Sequence, residues 1–445
     1  MYRTQYPPLL AGQHDLFRSS LPESYSMMFF DEELLDTTPQ QYMNFPQTFS
    51  PRRQDDDLIQ YYGQKVVELQ YLLVDTAMQR TLFITTNSDN DLRNAVCLLS
   101  RVHQLSNNKL SDLSNEVGRR FSTIDHILKK TTHTANHAMA ALHTVSTFLF
   151  VGGDGEWWRW LNVAHTFCTY QLSLYRSPAE MLLSCDEQLR FILKTTMWFD
   201  VIASVTRCEP PLFMEQFRSL FSPDTAFIDN PLAPLDPRLS MLDVMGCENR
   251  VVWAMAEVSE LAYWKDSCQR MGRPSTPQLY ERGRKIEKHL LPRMGPEEVY
   301  DNNLKLQRQY TSEIFRSSTR VYLHSILSGG YPECPEIKEG VRETILHLQR
   351  VPHTVPQMQM HGASRSVVRS VVLSIFLCGC LTDDQGQRDY LKSRLIEQDN
   401  QEAVGNCAAV KRLMEDIWLK REKRGNTEDP VPWREELNKS GLLLV

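Results

Sequence analysis

The stretch Trp198-Phe-Asp-Val-Ile-Ala-Ser-Val-Thr-Arg-Cys-Glu-Pro-Pro-Leu-Phe213 begins as an apolar run and stops at a double proline. Proline has no backbone N–H and cannot continue a helix, so the pattern predicts a helix that ends before the prolines. Asp200, Arg207 and Glu209 bring polar side chains close together here. The apolar residues between them favour a core helix over a catalytic site.

The same helical spacing recurs along the rest of the chain. From Leu58 to Leu73, apolar residues return at intervals of three and four, which gives one apolar stripe. Apolar and polar residues nowhere alternate over a sustained run, so no sheet is expected. The sequence therefore predicts an all-α fold, a large helical body of many antiparallel helices. It also predicts one long helix from Met241 to Met271 and a buried helix over Val367 to Phe376.

Gly152-Gly-Asp-Gly155 has the glycine content of a phosphate-binding loop. Such a loop needs four residues between its glycines and then Gly-Lys-Ser/Thr, and no lysine follows here. The glycines instead predict a turn between two helices. The next helix opens with Trp157, Trp158 and Trp160, whose indoles are expected to fix helix packing rather than to stack on a ligand.

The composition is that of a soluble globular protein, with 445 residues, 42% hydrophobic and 23% charged. A net charge of −6 argues against broad binding of nucleic acid, although a local basic patch is compatible with it. The ten cysteines are scattered apart from Cys378 and Cys380, which predicts free thiols in a reducing compartment. The longest nearly apolar run, Val371 to Leu381, is too short to span a bilayer, and no signal peptide is recognisable. A soluble intracellular protein without membrane contact is expected.

Residues 1–56 are expected to be disordered. They contain six prolines and many Gln, Ser and Thr residues, and therefore too little apolar surface to offset the entropy of ordering. Within them, bulky apolar residues stand beside carboxylates, and the apolar members are Met28, Phe29, Phe30, Leu34 and Leu35. That composition is typical of an acidic-hydrophobic segment that binds a partner's groove. A turn of helix packed on the body, 57–445, is the plainer alternative.

The motifs predict no catalytic, metal or cofactor site. His133 and His137 stand four residues apart, but Thr134 occupies the position where a zinc protease carries its Glu. We therefore expect packed or surface histidines. Neither a nucleophile elbow nor a dinucleotide-binding glycine motif is present. An enzyme would need a site assembled from scattered carboxylates such as Asp200 and Glu248, so the sequence favours a protein that is not an enzyme.

A compact basic run lies near the end of a predicted amphipathic helix, and its cations are Lys420, Arg421, Lys423 and Arg424. Such a run is typical of a nuclear import signal. Cations just before Gly425 would also complement the dipole at a helix C-terminus. The two interpretations are compatible.

Several stretches, taken in order, resemble the fungal-specific transcription factor domain, the helical region of fungal binuclear zinc-cluster transcription factors. They are Ala140–Phe150 with its Gly-Gly turn, Trp198–Phe213, Met245–Asn249, Ala262–Lys265, Val321–His324, Ile375–Cys380, Val410–Trp418 and Trp433-Arg434. No single motif is diagnostic, and the ordered set carries the resemblance over roughly residues 58–445. The subgroup that it resembles most includes regulators of fungal sexual development and of catabolic genes.

The resemblance implies a nuclear regulator of RNA polymerase II transcription whose helical body is the regulatory and effector domain. Expected partners are the transcriptional machinery, co-regulators or a second copy of the chain. The family's DNA-binding head holds zinc with closely spaced cysteines, whereas residues 1–56 contain no cysteine. Zinc and direct DNA contact are therefore not expected of these residues, and DNA would be reached indirectly or through a head that this sequence lacks.

The alternatives are a co-regulator without direct DNA binding and a metabolite-binding receptor body. In the receptor, aromatic residues such as Trp157, Trp198 and Trp253 would line the ligand pocket.

Overall fold

Every regular element in the described part of the chain is helical, which confirms the predicted all-α fold. The computed structural model describes residues 51–86, 89–108, 114–221, 236–292, 303–351, 367–401, 405–424 and 430–445. They belong to one compact unit, Phe49–Val445. The predicted disorder of the N-terminal segment lies outside the described residues up to position 50.

The helices follow one another with short connections in most of the body. In chain order they are α1 Pro51–Tyr61, α2 Val67–Gln70, α3 Thr76–Thr85, α4 Asn90–Asn108, α5 Ser114–Ile124, α6 Ala135–Phe150, α7 Trp157–Ser173, α8 Pro178–Ser184, α9 Glu187–Arg207, α10 Met214–Phe221, α11 Leu242–Met245, α12 Asn249–Arg270, α13 Thr276–Leu290, α14 Asn303–Leu327, α15 Pro335–Arg350, α16 Val372–Cys380, α17 Gln385–Gln401, α18 Cys407–Arg424 and α19 Trp433–Ser440. Among the described helices, none is both long and apolar enough to cross a membrane.

Helix α1 begins earlier than the sequence indicates. Pro51 to Asp56 were expected to be disordered, yet they form its first half. The carboxylate of Asp55 pairs with Arg120 at 2.9 Å, and that of Asp56 pairs with Arg93 at 2.5 Å. These ion pairs attach α1 to α4 and α5. Asp55 and Asp56, which the sequence shows only as part of a polar run, therefore make ordered contacts in the fold.

Helix α9 lies in the core, as the opening stretch predicts. Every residue from Phe191 to Thr206 is buried, and the helix packs on α6, α7, α12 and α19. The Asp186 side chain caps its start by accepting from the Leu189 N–H at 2.8 Å. A helix that is largely apolar on all sides has no stable place at the surface, which explains its position.

Two helix predictions need correction. The predicted helix from Met241 to Met271 is divided into α11 and α12, because Gly246 has a φ of 65°. A Cβ at Gly246 would lie 2.3 Å from Leu73 Cδ1, so glycine at this position also leaves room for the Leu73 side chain. The apolar residues from Val367 to Phe376 are buried as predicted, but Val367–Val371 is a 3-10 helix and α16 begins only at Val372.

Candidate functional site, a polar cleft beside the tail

The glycine turn between α6 and α7 receives the end of the chain. Gly152, Gly153 and Gly155 have φ angles of 131°, 89° and 103°, which side chains with a Cβ rarely adopt. At Gly153 an added Cβ would lie 3.0 Å from the Leu443 carbonyl oxygen and 3.1 Å from Asn406 Cβ. The Leu443 N–H donates to the Gly153 carbonyl at 2.8 Å. The predicted turn is confirmed, and its glycines permit a close approach of backbone to backbone.

The tail that follows α19, Gly441–Val445, is held by side chains from distant parts of the sequence. Its carbonyls accept hydrogen bonds as follows: Gly441 from Trp157 Nε1 at 2.9 Å, Leu442 from Thr206 Oγ1 at 2.7 Å, and Leu443 from Asn406 Nδ2 at 2.7 Å. The side chains of Leu442, Leu443 and Leu444 are buried. We call the glycine turn together with these tail contacts the seam.

Helix α9 ends just before Pro210 and Pro211, and the chain then turns into α10. Cys208 caps the helix in a left-handed conformation, with a φ of 54°. Beyond the two prolines, the N–H groups of Leu212 and Phe213 donate to the buried Asp200 carboxylate at 3.0 and 2.8 Å. Burial raises the pKa of Asp200 to about 7, although both hydrogen bonds act to lower it. Asp200 therefore holds the turn into α10, as a core residue.

A cleft of about 270 Å³ opens where α7, the end of α9 and α19 meet. Its lining comprises Gly155, Trp157, Trp158, Thr206, Arg207, Glu209, Asn438 and Gly441. Trp158 is 46% exposed, and the Arg207 guanidinium lies over its ring at 5.5 Å from the centroid. Arg207 also makes a two-point ion pair with Glu209, at 2.7 and 3.2 Å. The cleft presents an aromatic face beside a paired cation and anion.

The polar groups of the cleft are engaged within the protein. The Thr206 hydroxyl donates to the tail, and the Asn438 amide donates to the Thr206 carbonyl at 3.1 Å. Glu209 is held by Arg207. A nucleophile or a general base needs its reacting atom directed at a substrate. The Thr206, Asn438 and Glu209 side chains are therefore structural contacts of the cleft.

A second group of charges is buried between α14 and α15. Arg316 is 1% exposed, and its guanidinium donates to Glu313 at 3.0 Å and to Glu343 at 2.6 Å. Ligand atoms of Glu313, Glu343 and His347 lie within 4.8 Å of one another, a spacing that a metal ion could use. The guanidinium, however, already supplies the positive charge to both carboxylates. The geometry is that of an internal ion-pair cluster.

The indoles proposed to line a metabolite pocket are packed in the core. Trp198 meets Phe315 edge to face at 5.1 Å between centroids, and Trp253 Nε1 donates to Glu257 at 3.0 Å. Trp157 is also buried and uses its indole N–H to hold the tail. Of the three indoles, Trp157 lines the cleft and Trp198 and Trp253 do not, and the metabolite pocket stays a prediction. The exposed indole of the cleft is that of Trp158.

In the basic run at the end of α18, some cations form ion pairs within the fold and some are exposed. Lys420 pairs with Glu436 at 2.5 Å, and the buried Arg421 pairs with Asp383. Lys423 is exposed, and the side chain of the last cation lies outside the described residues. The import signal stays a prediction, with Lys420 and Lys423 as its exposed members. The predicted partner-binding segment, residues 28–35, lies wholly outside the described residues.

His133 and His137 are packed, as expected. The Thr134 hydroxyl accepts from the His137 N–H at 3.2 Å, and His137 Nδ1 accepts from the Thr134 N–H at 3.1 Å. This reciprocal pair caps the start of α6. The two imidazole rings meet edge to face at 6.2 Å. Burial lowers the pKa of each, which favours neutral rings.

Sequence reasoning missed the residues that join distant helices. Glu313 and Arg316 are three apart, a spacing that places them on one helix face. Nothing in the sequence indicated that Glu343 of the next helix would meet them. Asn438 and Thr206 were missed for the same reason, because a contact across the fold has no local pattern.

The described body is all-helical, and its candidate cleft presents an aromatic ring beside a paired cation and anion. Residues 57–445 match the family model of the fungal specific transcription factor domain. The chain belongs to this family, and the resemblance seen in the sequence is confirmed.

Curated relatives share the class. The chain is 28% identical over 230 residues to the trichothecene biosynthesis transcription regulator TRI10 of Fusarium sporotrichioides, covering 48% of this chain and 49% of that protein. It is 21% identical over 308 residues to the ustiloxin B cluster transcription factor ustR of Aspergillus flavus, covering 64% and 48%. It is 24% identical over 245 residues to the transcriptional regulatory protein pro1 of Neurospora crassa, covering 52% and 31%.

The chain therefore spans half the length, or less, of these relatives. No solved structure gives a significant match to it. These relatives are named as transcription regulators, and the chain carries the domain of their family.

Proposed function

We propose that this chain is the regulatory and effector region of a nuclear regulator of RNA polymerase II transcription. The observation that carries the proposal is the family match over residues 57–445. Two relatives are named for trichothecene biosynthesis and for the ustiloxin B cluster. By analogy, this chain controls the genes of one pathway.

The cleft is the part of the helical body that we assign to partner contact. Trp158 presents an exposed ring, and the ion pair of Arg207 and Glu209 forms a polar edge beside it. Aromatic residues and arginine are enriched where proteins bind one another, because they combine contact area with directed hydrogen bonds. A co-regulator is the proposed partner. Binding by residues 28–35 and pairing with a second copy of the chain remain separate proposals.

We do not assign direct DNA recognition to these residues. The ten cysteines are free thiols, which are dispersed through the helical body. The net charge of −6 also opposes sequence-independent attraction to phosphate. In this proposal the chain reaches promoters through a partner, or through a zinc-cluster head that these 445 residues do not contain.

A tethering experiment tests the proposal. The full chain is fused to a heterologous DNA-binding domain and tested on a reporter gene in a fungal host. We expect reporter output to change severalfold from that of the DNA-binding domain alone. Trp158→Ala should reduce the change, while Tyr170→Ala, another exposed aromatic residue of α7, should leave it intact. A fusion that is nuclear and well expressed but leaves the reporter unchanged would contradict the proposed function.

A further inference from the structure

The end of α12 and helix α13 carry a basic surface on an otherwise acidic protein. We define the α13 face by Tyr280, Arg284 and Lys288 of the helix together with Met271 and Arg273 of the turn that precedes it, all of which are exposed. It shares no residue with the cleft described above.

Helix α13 is attached to the body by one narrow stripe. Its buried residues are Leu279, Gly283, Ile286 and Leu290. Gly283 permits close packing, since a Cβ there would lie 2.6 Å from Leu327 Cδ2. Tyr280, Arg284 and Lys288 are four residues apart and therefore form one row on the solvent side.

The charges of α13 do not cancel. Glu281 is paired with Lys285 at 2.9 Å, and Glu287 is paired with Arg320 at 3.2 Å. Both acidic residues of the helix are thus engaged. In the described part of the chain, no carboxylate lies within ion-pair distance of Arg273, Arg284 or Lys288.

Stability of the fold accounts for only part of this pattern. Lys288 lies in the last turn, where a cation complements the helix dipole. Arg284 and Lys288, however, are like charges four residues apart, which costs the helix a few tenths of a kcal/mol. Tyr280 and Met271 are 47% and 65% exposed, so they contribute little to the core. The cations and the exposed apolar residues are therefore available to a partner outside the fold.

We propose that the α13 face binds a short acidic segment of a partner protein that also carries bulky apolar side chains. Carboxylates of that segment would pair with Arg273, Arg284 and Lys288, while its apolar side chains would cover Tyr280 and Met271. A helix of 15 residues is about 22 Å long, which matches about seven residues of extended peptide.

Duplex DNA fits this surface less well. It carries a negative charge about every 1.7 Å and extends far beyond one helix, where it would meet a protein of net charge −6. Phosphates also gain nothing from Tyr280 and Met271. A short peptide places its charges within about one Debye length of the cations and leaves the acidic remainder of the protein uncovered.

The experiment measures binding of synthetic probes to the full purified chain by fluorescence anisotropy at 50 and 300 mM salt. The probe is a labelled ten-residue peptide in which Asp and Glu alternate with Phe and Leu, and a matched peptide has Asn and Gln in place of the acids. A labelled 20-base-pair duplex is the third probe. Variants are Arg284→Glu with Lys288→Glu, Tyr280→Ala, and the control Arg80→Glu, an exposed cation of α3. Thermal melting verifies that each variant is folded.

We expect the acidic peptide to bind, with an affinity that falls about tenfold in the double charge-reversal variant and severalfold in Tyr280→Ala. The Arg80→Glu control and the wild type should bind it equally. The neutral peptide should bind at least tenfold more weakly. The proposal is overturned if the charge reversal leaves peptide binding unchanged, if no peptide binds at 50 mM salt, or if the duplex alone binds through these residues. None of these results bears on the tethered reporter, so the proposed function is tested separately.

Discussion

Polar groups are buried in two different ways in this body. Between α14 and α15 the buried groups are side-chain charges, those of Arg316, Glu313 and Glu343. At the seam they are backbone groups: the tail carbonyls, which accept from side chains, and the Leu443 N–H, which donates to the Gly153 carbonyl. Burial costs an ion far more than it costs an amide. The first region therefore depends on every partner being present, and the second depends on the shape of the turn.

The largest expected effect comes from removing the cation of the buried cluster. Arg316→Met leaves the Glu313 and Glu343 carboxylates buried beside each other, with His347 at 3.4 Å and Arg320 at 3.2 Å as remaining partners. The free energy of unfolding should therefore fall by about 3–5 kcal/mol. Urea denaturation measures the loss. Arg342→Met is the control, because the side chain of Arg342 is 66% exposed and its pair with Glu339 should be worth about 0–1 kcal/mol. Equal losses in the two variants would show that the buried cluster does not differ energetically from a surface pair.

Asp200 lies between the two cases, since it is a buried charge held by backbone N–H groups. Its pKa in the folded state, about 7, is above the usual value of 3.8. The stability linked to its protonated form is therefore complete below pH ~4 and is lost as the pH rises towards 7. Asp200→Asn should remove this loss, a few kcal/mol, since each pKa unit corresponds to about 1.4 kcal/mol.

The measurement compares unfolding free energies of the wild type and of Asp200→Asn at pH 4, 5.5 and 7. The variant should gain stability relative to the wild type across this range. Asp57→Asn, which removes an exposed carboxylate of α1, is the control for the loss of one negative charge at the surface. A constant difference between wild type and Asp200→Asn would mean that the carboxylate does not titrate in this window.

The smallest effect is expected at the seam. Gly153→Ala introduces a Cβ close to the Leu443 oxygen at a φ of 89°, and should cost about 1–2 kcal/mol. Gly118→Ala in α5 is the control, because nothing lies within 4 Å of a Cβ there, and alanine should stabilise that helix by up to about 1 kcal/mol. Thermal denaturation of both variants resolves the opposite signs. If Gly153→Ala were neutral, the turn would not depend on glycine.

Local features could be predicted and contacts between helices could not. The end of α9 at the prolines and the glycine turn followed from residues that restrict the backbone in any context. The partners of Asp200 did not, because they lie 12 and 13 residues further along the chain, beyond a change of direction. Trp157 and Trp158 are neighbours of the same type, yet one is buried and the other exposed. That difference depends on how α7 is rotated against the core.

By itself the sequence determined the all-α class and the family, because hydrophobic periodicity, turn residues and ordered motifs are properties of the chain read in one direction. Only the tertiary structure decided that Arg316 meets Glu343 and that the tail contacts Gly153. It also decided that Arg284 and Lys288 remain exposed, with no carboxylate within ion-pair distance among the described residues. Each of these depends on the distance between elements far apart in the sequence. Helix packing sets that distance, and no local pattern of residues encodes it.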